Sequence, residues 1–380
     1  MNSTSAGESE PEAIPDRDFR IDLFRGFSLW LIFLDHIPES IFNSITLRNF
    51  GFSDAAEILV FLSGLASGIV YGRVARESGP GRAAVRAFRR GVEIYLAQIV
   101  LIALYIALAL FFARWQERYL HDANVAIFQS APGLTAFQAL ILRYTPVNID
   151  ALSLMVFLHL ALAAVLPLMI GRPTIVLIGS VALYAASHWF DWSIPAYPRG
   201  FIYFNPLDWQ LLYIIAVWWA LTGKAHFQSL EASRALSLLC GAFLLFAFVV
   251  TLGWRYPALK ALDPQWLSDL IYPIEKSDLA VLRLLHFLAL AFVCWHVIPS
   301  NHAVLQSRWL RPLIQCGEHS LAVFCASVLL SFAAHFILVQ LSDGLVAQIV
   351  AAAGGILLMS TLAALLSRLD RTGTVHPRTI

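Results

Sequence analysis

The chain has 380 residues, 59% of them apolar and only 13% charged, with a mean hydropathy of +0.70 and a formal net charge of +1. Apolar runs of about 18 or more residues recur along it, which excludes a soluble domain and specifies an integral membrane protein. The near-zero charge, without a basic patch interleaved with aromatics, gives no footing for a nucleic-acid partner.

In chain order, the first 16 residues, MNSTSAGESEPEAIPD, are polar and acidic and carry neither a basic n-region nor a small-residue cleavage site. They read as a disordered cytoplasmic tail. Apolar stretches then predict helical spans over 21–38, 54–72, 88–112, 152–170, 174–190, 207–222, 234–253, 282–299, 312–338 and 345–367. An even count puts both termini on one side. That side is the cytoplasm, because most of the 26 Lys and Arg then lie inside, with Arg73, Arg76, Arg82, Arg86, Arg89 and Arg90 in one short connection. The expected fold is all-α, a polytopic bundle of about ten transmembrane helices forming one domain over 17–370, with 371–380 as a second cytoplasmic tail.

The first span, RIDLFRGFSLWLIFLDH, carries Arg25 and His36 inside an otherwise apolar run, and ionisable groups in a bilayer helix are functional candidates. At about 100° and 1.5 Å per residue the two lie about 20° apart around the helix and roughly 16 Å apart along it. One stripe joins the two ends. A local alternative for Arg25 is an ion pair with Asp22, three residues earlier.

The second span opens with Asp54 and Glu57. Their spacing fits a capping box, and it equally fits a carboxylate that orients His36 and stabilises its protonated form. Both readings stay open. Gly64 and Gly68, beside Ser63 and Ser67, form small-xxx-small patterns for close helix approach, with the first span as the expected neighbour.

The largest connections, 113–151, 191–206 and 254–281, face outward and are aromatic-rich. Their Trp and Tyr residues fit the interfacial aromatic belt, and they could also stack on a sugar. The sixth span is short, so its start could be interfacial or re-entrant. Glu275, Lys276, Asp278, Arg283 and His286 crowd the outer mouth of the eighth span, where Arg283 and His286 share a helix face. The ninth stretch is long enough to tilt or kink, with Glu318 and His319 near its inner end.

His159, His188, His296 and His335 read as hydrogen-bonded structural imidazoles, and Cys240, Cys294, Cys316 and Cys325 as packing residues. No HExxH, CxxC or nucleotide-loop motif occurs, so no metal is expected. No Ser or Cys is placed as a nucleophile.

Several blocks carry a resemblance. RDFRIDLFRGFSLWLIFLDHIP followed by TLRNFGFSDAAEILVFLSGLASGIVYGR, then NPLDWQ, RLLHFLALAF and CGEHSLAVFCASVLLS, resemble the OpgC family, membrane succinyltransferases of osmoregulated periplasmic glucans. Arg25 and His36 also match the R-x10-H spacing of the wider transmembrane acyltransferase group. The fourth span, NIDALSLMVFLHL, departs from the family by lacking a Pro and a Tyr after the Asp.

The resemblance implies an O-acyltransferase of the bacterial inner membrane, with succinyl-CoA as co-substrate, no tightly bound cofactor, and a periplasmic glucan as acceptor. With the helix geometry it implies Arg25 and the basic inner connection at the donor's anionic groups. His36 would be the general base, Glu57 or Asp54 the group orienting it, and Lys276, Arg283 and His286 the groups binding the acceptor or the succinyl carboxylate. The alternatives are a transporter or flippase for an acyl donor or anionic solute, and a non-catalytic envelope assembly subunit.

Overall fold

The computed structural model describes residues 18–226, 233–256, 258, 264–299 and 303–372. The expected tail 1–16 and most of 371–380 lie outside them. Among the described residues the fold is helical, with one isolated β-bridge between Pro195 and Phe201. The helices are α1 (Phe19–Asp35), α2 (Ala55–Ser78), α3 (Pro80–Phe112), the short α4 (Arg118–Asp122), α5 (Ile127–Ser130) and α6 (Pro132–Leu140), α7 (Asp150–Gly171), α8 (Pro173–Phe190) and α9 (Pro206–His226). They continue with α10 (Arg234–Arg255), α11 (Gln265–Ile271), α12 (Val281–Val297), α13 (Arg311–Glu318), α14 (Ser320–Gln340) and α15 (Leu345–Arg371).

Every expected span falls on helical structure. Among the described residues seven helices, α2, α3, α7, α8, α10, α14 and α15, are long and apolar enough to span a membrane. The helices α1 and α12 have 17 residues each, and α9 opens on the polar pair Asp208 and Gln210. The ninth stretch is not one helix. It breaks at His319, which separates α13 from α14.

The basic connection is also not a loop. A single residue, Gly79 at φ 88°, turns α2 into α3, a left-handed conformation in which glycine meets no Cβ penalty, and Pro80 starts the next helix. With 33 residues, α3 is about 50 Å long and extends well past a hydrocarbon core of about 30 Å. Hydropathy falls where Arg82 begins, but helix propensity does not, so Arg82, Arg86, Arg89 and Arg90 ride on a helix.

The most enclosed span is α2, which packs on α1, α3, α7, α9 and α12. Its small-residue face meets α9 and not, as the sequence predicts, α1. A Cβ on Gly64 would overlap the Tyr213 carbonyl, one on Gly68 would overlap Ala220, and Ser67 Oγ lies 2.8 Å from the Tyr213 hydroxyl. The glycine of α1 is used elsewhere. Gly26 lies against the Leu313 carbonyl and Gly317 against the Asp22 carbonyl, each so closely that a Cβ would overlap it, which sets α1 and α13 backbone to backbone.

Candidate functional site

Two polar regions occupy opposite ends of α1. At the end where α1 starts and α15 finishes, a cavity of about 600 Å³ is lined from α1, α2, α3, α7, α13, α14 and α15. Its charged lining comprises Arg25, Arg86, Arg89, Arg90 and Arg371 against Glu93, Glu318 and Asp370, with His159 and His319 beside them. Cations are in excess. Arg86 gains its place among them from helical spacing, three residues from Arg89 and four from Arg90.

Within the lining, Arg90 Nη1 donates to Glu93 Oε2 at 2.8 Å, and His319 Nε2 lies 3.0 Å from Ser367 Oγ. His159 is held by the Met155 carbonyl, 2.9 Å from its Nδ1. That is the structural role expected of it, although its ring reaches the cavity.

Arg25 is buried at this cavity. Its Nη2 donates to the Leu62 carbonyl at 3.2 Å, its Nη1 to the Gly317 carbonyl at 3.4 Å, and Asp22 lies 3.7 Å away. The local ion pair with Asp22 exists, and it is one contact among several. Carbonyls from α2 and α13 fix the guanidinium between three elements.

At the far end of α1 the predicted site residues form a compact ion-pair cluster. Asp54 caps α2, its Oδ1 accepting from the Ala56 amide at 2.8 Å, while Glu57 Oε2 accepts from the Asp54 amide at 2.9 Å. The capping box is complete. The remaining oxygens face cations: Arg283 Nε donates to Glu57 Oε1 at 2.8 Å, Arg283 Nη2 to Asp54 Oδ2 at 3.2 Å, and Lys276 Nζ lies 2.7 Å from Asp54 Oδ2. Burial works against the Lys276 ammonium, but Asp54 and Glu57 outweigh it and hold its pKa above the ordinary lysine value.

His36 ends α1 beside this cluster. It is half-buried, and Asp54 and Lys276 are near enough to act on it electrostatically. Its Nδ1 is buried without a hydrogen-bond partner, while the carboxylates of Asp54 and Glu57 are engaged by the contacts above. The structure thus brings His36, Asp54, Glu57, Lys276 and Arg283 together without a hydrogen bond from imidazole to carboxylate. Asp35 is engaged elsewhere, accepting from Thr46 Oγ1 at 2.7 Å, with Arg48 at 3.9 Å.

His286 is packed beside the cluster rather than in it. Its Nδ1 is 2.7 Å from Ser53 Oγ, Phe52 and Phe243 flank the ring, and the ring lies directly against Gly51, where a Cβ would overlap it.

Over residues 17–371 the chain matches the family described as OpgC protein. It belongs to that family. The match runs from just before α1 to the last residue of α15, so the basic cavity and the His36 cluster both lie within one OpgC unit, an acyltransferase-like membrane protein. No curated protein and no solved structure matches the chain.

The OpgC blocks quoted from the sequence fall at the contacts that build the site: Gly26 of the first and Gly317 of CGEHS seat α1 on α13. Sequence reasoning missed the Ser53 to His286 contact, the cavity formed by α3 with α15, and the role of Gly51. The glycine in NFGFSD was the available signal for the last of these, since an isolated glycine beside aromatics marks a close approach.

Proposed function

We propose that this OpgC protein is a membrane O-acyltransferase of the bacterial inner membrane, moving an acyl group, succinyl from succinyl-CoA, from the cytoplasmic side to hydroxyls of a periplasmic glucan. The observation that carries this reading is the division of α1: Arg25 lines a cavity with surplus guanidinium groups, and a half-buried His36 stands at the opposite end beside a charged cluster. Positive-inside asymmetry supports the basic end as cytoplasmic.

In this reading Arg25, Arg86, Arg89 and Arg90 attract the anionic phosphates of the donor, whose thioester end reaches on toward His36. His36 accepts the proton of a glucan hydroxyl as its oxygen attacks the thioester carbonyl; the C–S bond breaks, an ester forms, and CoA leaves as its thiol after taking up a proton. Asp54 favours the transient imidazolium through space, against the opposing charge of Lys276. Lys276, the most exposed member of the ion-pair cluster with 29% of its side chain accessible, meets the acceptor or the succinyl carboxylate, with Arg283 behind it and His286 at the margin.

The test uses the purified protein in nanodiscs with labelled succinyl-CoA and periplasmic glucan. Glucan is expected to gain the mass of succinyl groups, and His36→Ala to lower the rate by about 10²–10⁴-fold while eluting and melting like the parent. Wild-type transfer by a folded His36→Ala protein removes the base assignment. Glucan and donor that emerge chemically unchanged from the wild-type protein point to transport.

A further inference from the structure

Building on the acyl-transfer reading, we propose that a second cavity, walled by Asn124, Asp150, Tyr197, Arg199, Phe201 and Tyr203, is the subsite that grips one sugar ring of the acceptor. Its volume is about 220 Å³. That lies below the ~300 Å³ at which pockets for drug-sized ligands begin, and it suits a single ring better than a nucleotide or a lipid headgroup with its chains.

The lining has the chemistry a sugar needs. A carboxylate, a carboxamide and a guanidinium offer acceptors and donors to vicinal hydroxyls, and three aromatic rings offer flat apolar faces to the C–H side of a pyranose. Asp150 opens α7 and is set by Thr145, whose hydroxyl donates to its Oδ1 at 2.7 Å. Phe201 and Tyr203 are 66% and 49% exposed, so their rings are available to a ligand without displacing packed neighbours.

The wall is built in advance. Ala196 N donates to the Gly200 carbonyl at 3.0 Å and Ile202 N to the Ile194 carbonyl at 2.9 Å, closing a hairpin whose turn uses Gly200 at φ 80°. That hairpin is tied to residue 143: Tyr197 N donates to the Arg143 carbonyl at 2.7 Å, and Arg143 Nε donates to the Pro195 carbonyl at 3.1 Å. Rigid walls reduce the ordering that binding requires.

The cavity also adjoins the right chemistry. Phe204, next to Tyr203 in the chain, lies 5.5 Å beneath the Lys276 ammonium, and Asn205 N donates to the Ser277 carbonyl at 2.8 Å. Lys276 in turn holds Asp54 beside His36. A glucan anchored by one ring here would run its neighbouring residues toward His36.

The experiment measures cellohexaose binding to the full chain in nanodiscs by saturation-transfer NMR, and succinyl-CoA binding by calorimetry, for wild type, Phe201→Ala, Tyr203→Ala and Asp150→Asn. Tyr203→Ala and Asp150→Asn are expected to weaken cellohexaose binding about tenfold each, and Phe201→Ala several-fold, with the succinyl-CoA affinity unchanged. Equal cellohexaose affinity in all four proteins, or none in the wild type, overturns the subsite. Loss in the variants with no ester formed by the wild type supports the subsite and overturns acyl transfer instead.

Discussion

At the basic end of the bundle five guanidinium groups surround a cavity with three carboxylates among them, whereas at the His36 end two cations and two carboxylates interlock within 3.2 Å. Both regions are polar, and both stood out in the sequence as expensive charge. They differ in balance. The far cluster neutralises itself, so its charges serve position: they close the first turn of α2 and tie it to α12. The basic cavity keeps a positive surplus that a mobile anion can complete. Surplus charge with room beside it is the better mark of a binding site; mutual neutralisation is the better mark of a frame.

Substitutions that strike the two regions separately would break or sharpen this comparison. The largest effect is expected from Glu57→Ala, which leaves Arg283 buried without its main partner. It should destabilise the protein by about 3–5 kcal/mol, read as a lowered unfolding midpoint in detergent titration. A midpoint equal to wild type would mean that the cluster is not a frame. Next is Gly51→Ala, whose new methyl must displace the boxed His286 ring; about 1–3 kcal/mol of destabilisation is expected, with a shift of the His286 resonances in NMR. Unmoved resonances would show that the backbone yields there instead.

The basic end should respond in the opposite sense. Arg89 is exposed, so Arg89→Ala is expected to leave stability within about 0.5 kcal/mol. The same change should weaken succinyl-CoA binding about tenfold in calorimetry, because one charge-assisted contact to an anion is worth about that much. Equal affinity would take Arg89 out of the donor site. The smallest effect distinguishes the ends by salt: raising ionic strength from about 0.1 M toward 1 M shortens the Debye length from about 10 Å to 3 Å, which should reduce donor affinity several-fold and barely move the unfolding midpoint. A midpoint that follows salt as closely as affinity does would erase the contrast.

Much of the architecture was legible because hydropathy and charge act locally. The apolar stretches found every long helix, the Asp54 and Glu57 spacing gave a complete capping box, and the Arg25 to His36 spacing placed them at opposite ends of one helix. What escaped depends on contacts between distant segments. Whether Gly64 faces α1 or α9 is decided by which partner fits the groove, and Gly26 had already been taken by α13. The arginine run looked like a loop because hydropathy registers the end of lipid rather than the end of a helix. Glu57 caps α2 as one of its two readings required, and its second oxygen goes to Arg283, a residue 226 positions away that spacing alone cannot pair with it.

The glycine contact between α1 and α13 has a mechanical meaning. With the Leu313 carbonyl set on Gly26 and the Asp22 carbonyl on Gly317, the two backbones touch at these two points with no Cβ between them to act as a cushion. They must move as one lever, carrying Arg25, which is itself bonded to the Gly317 carbonyl. A movement of α1 that widened the basic cavity would therefore take α13 with it.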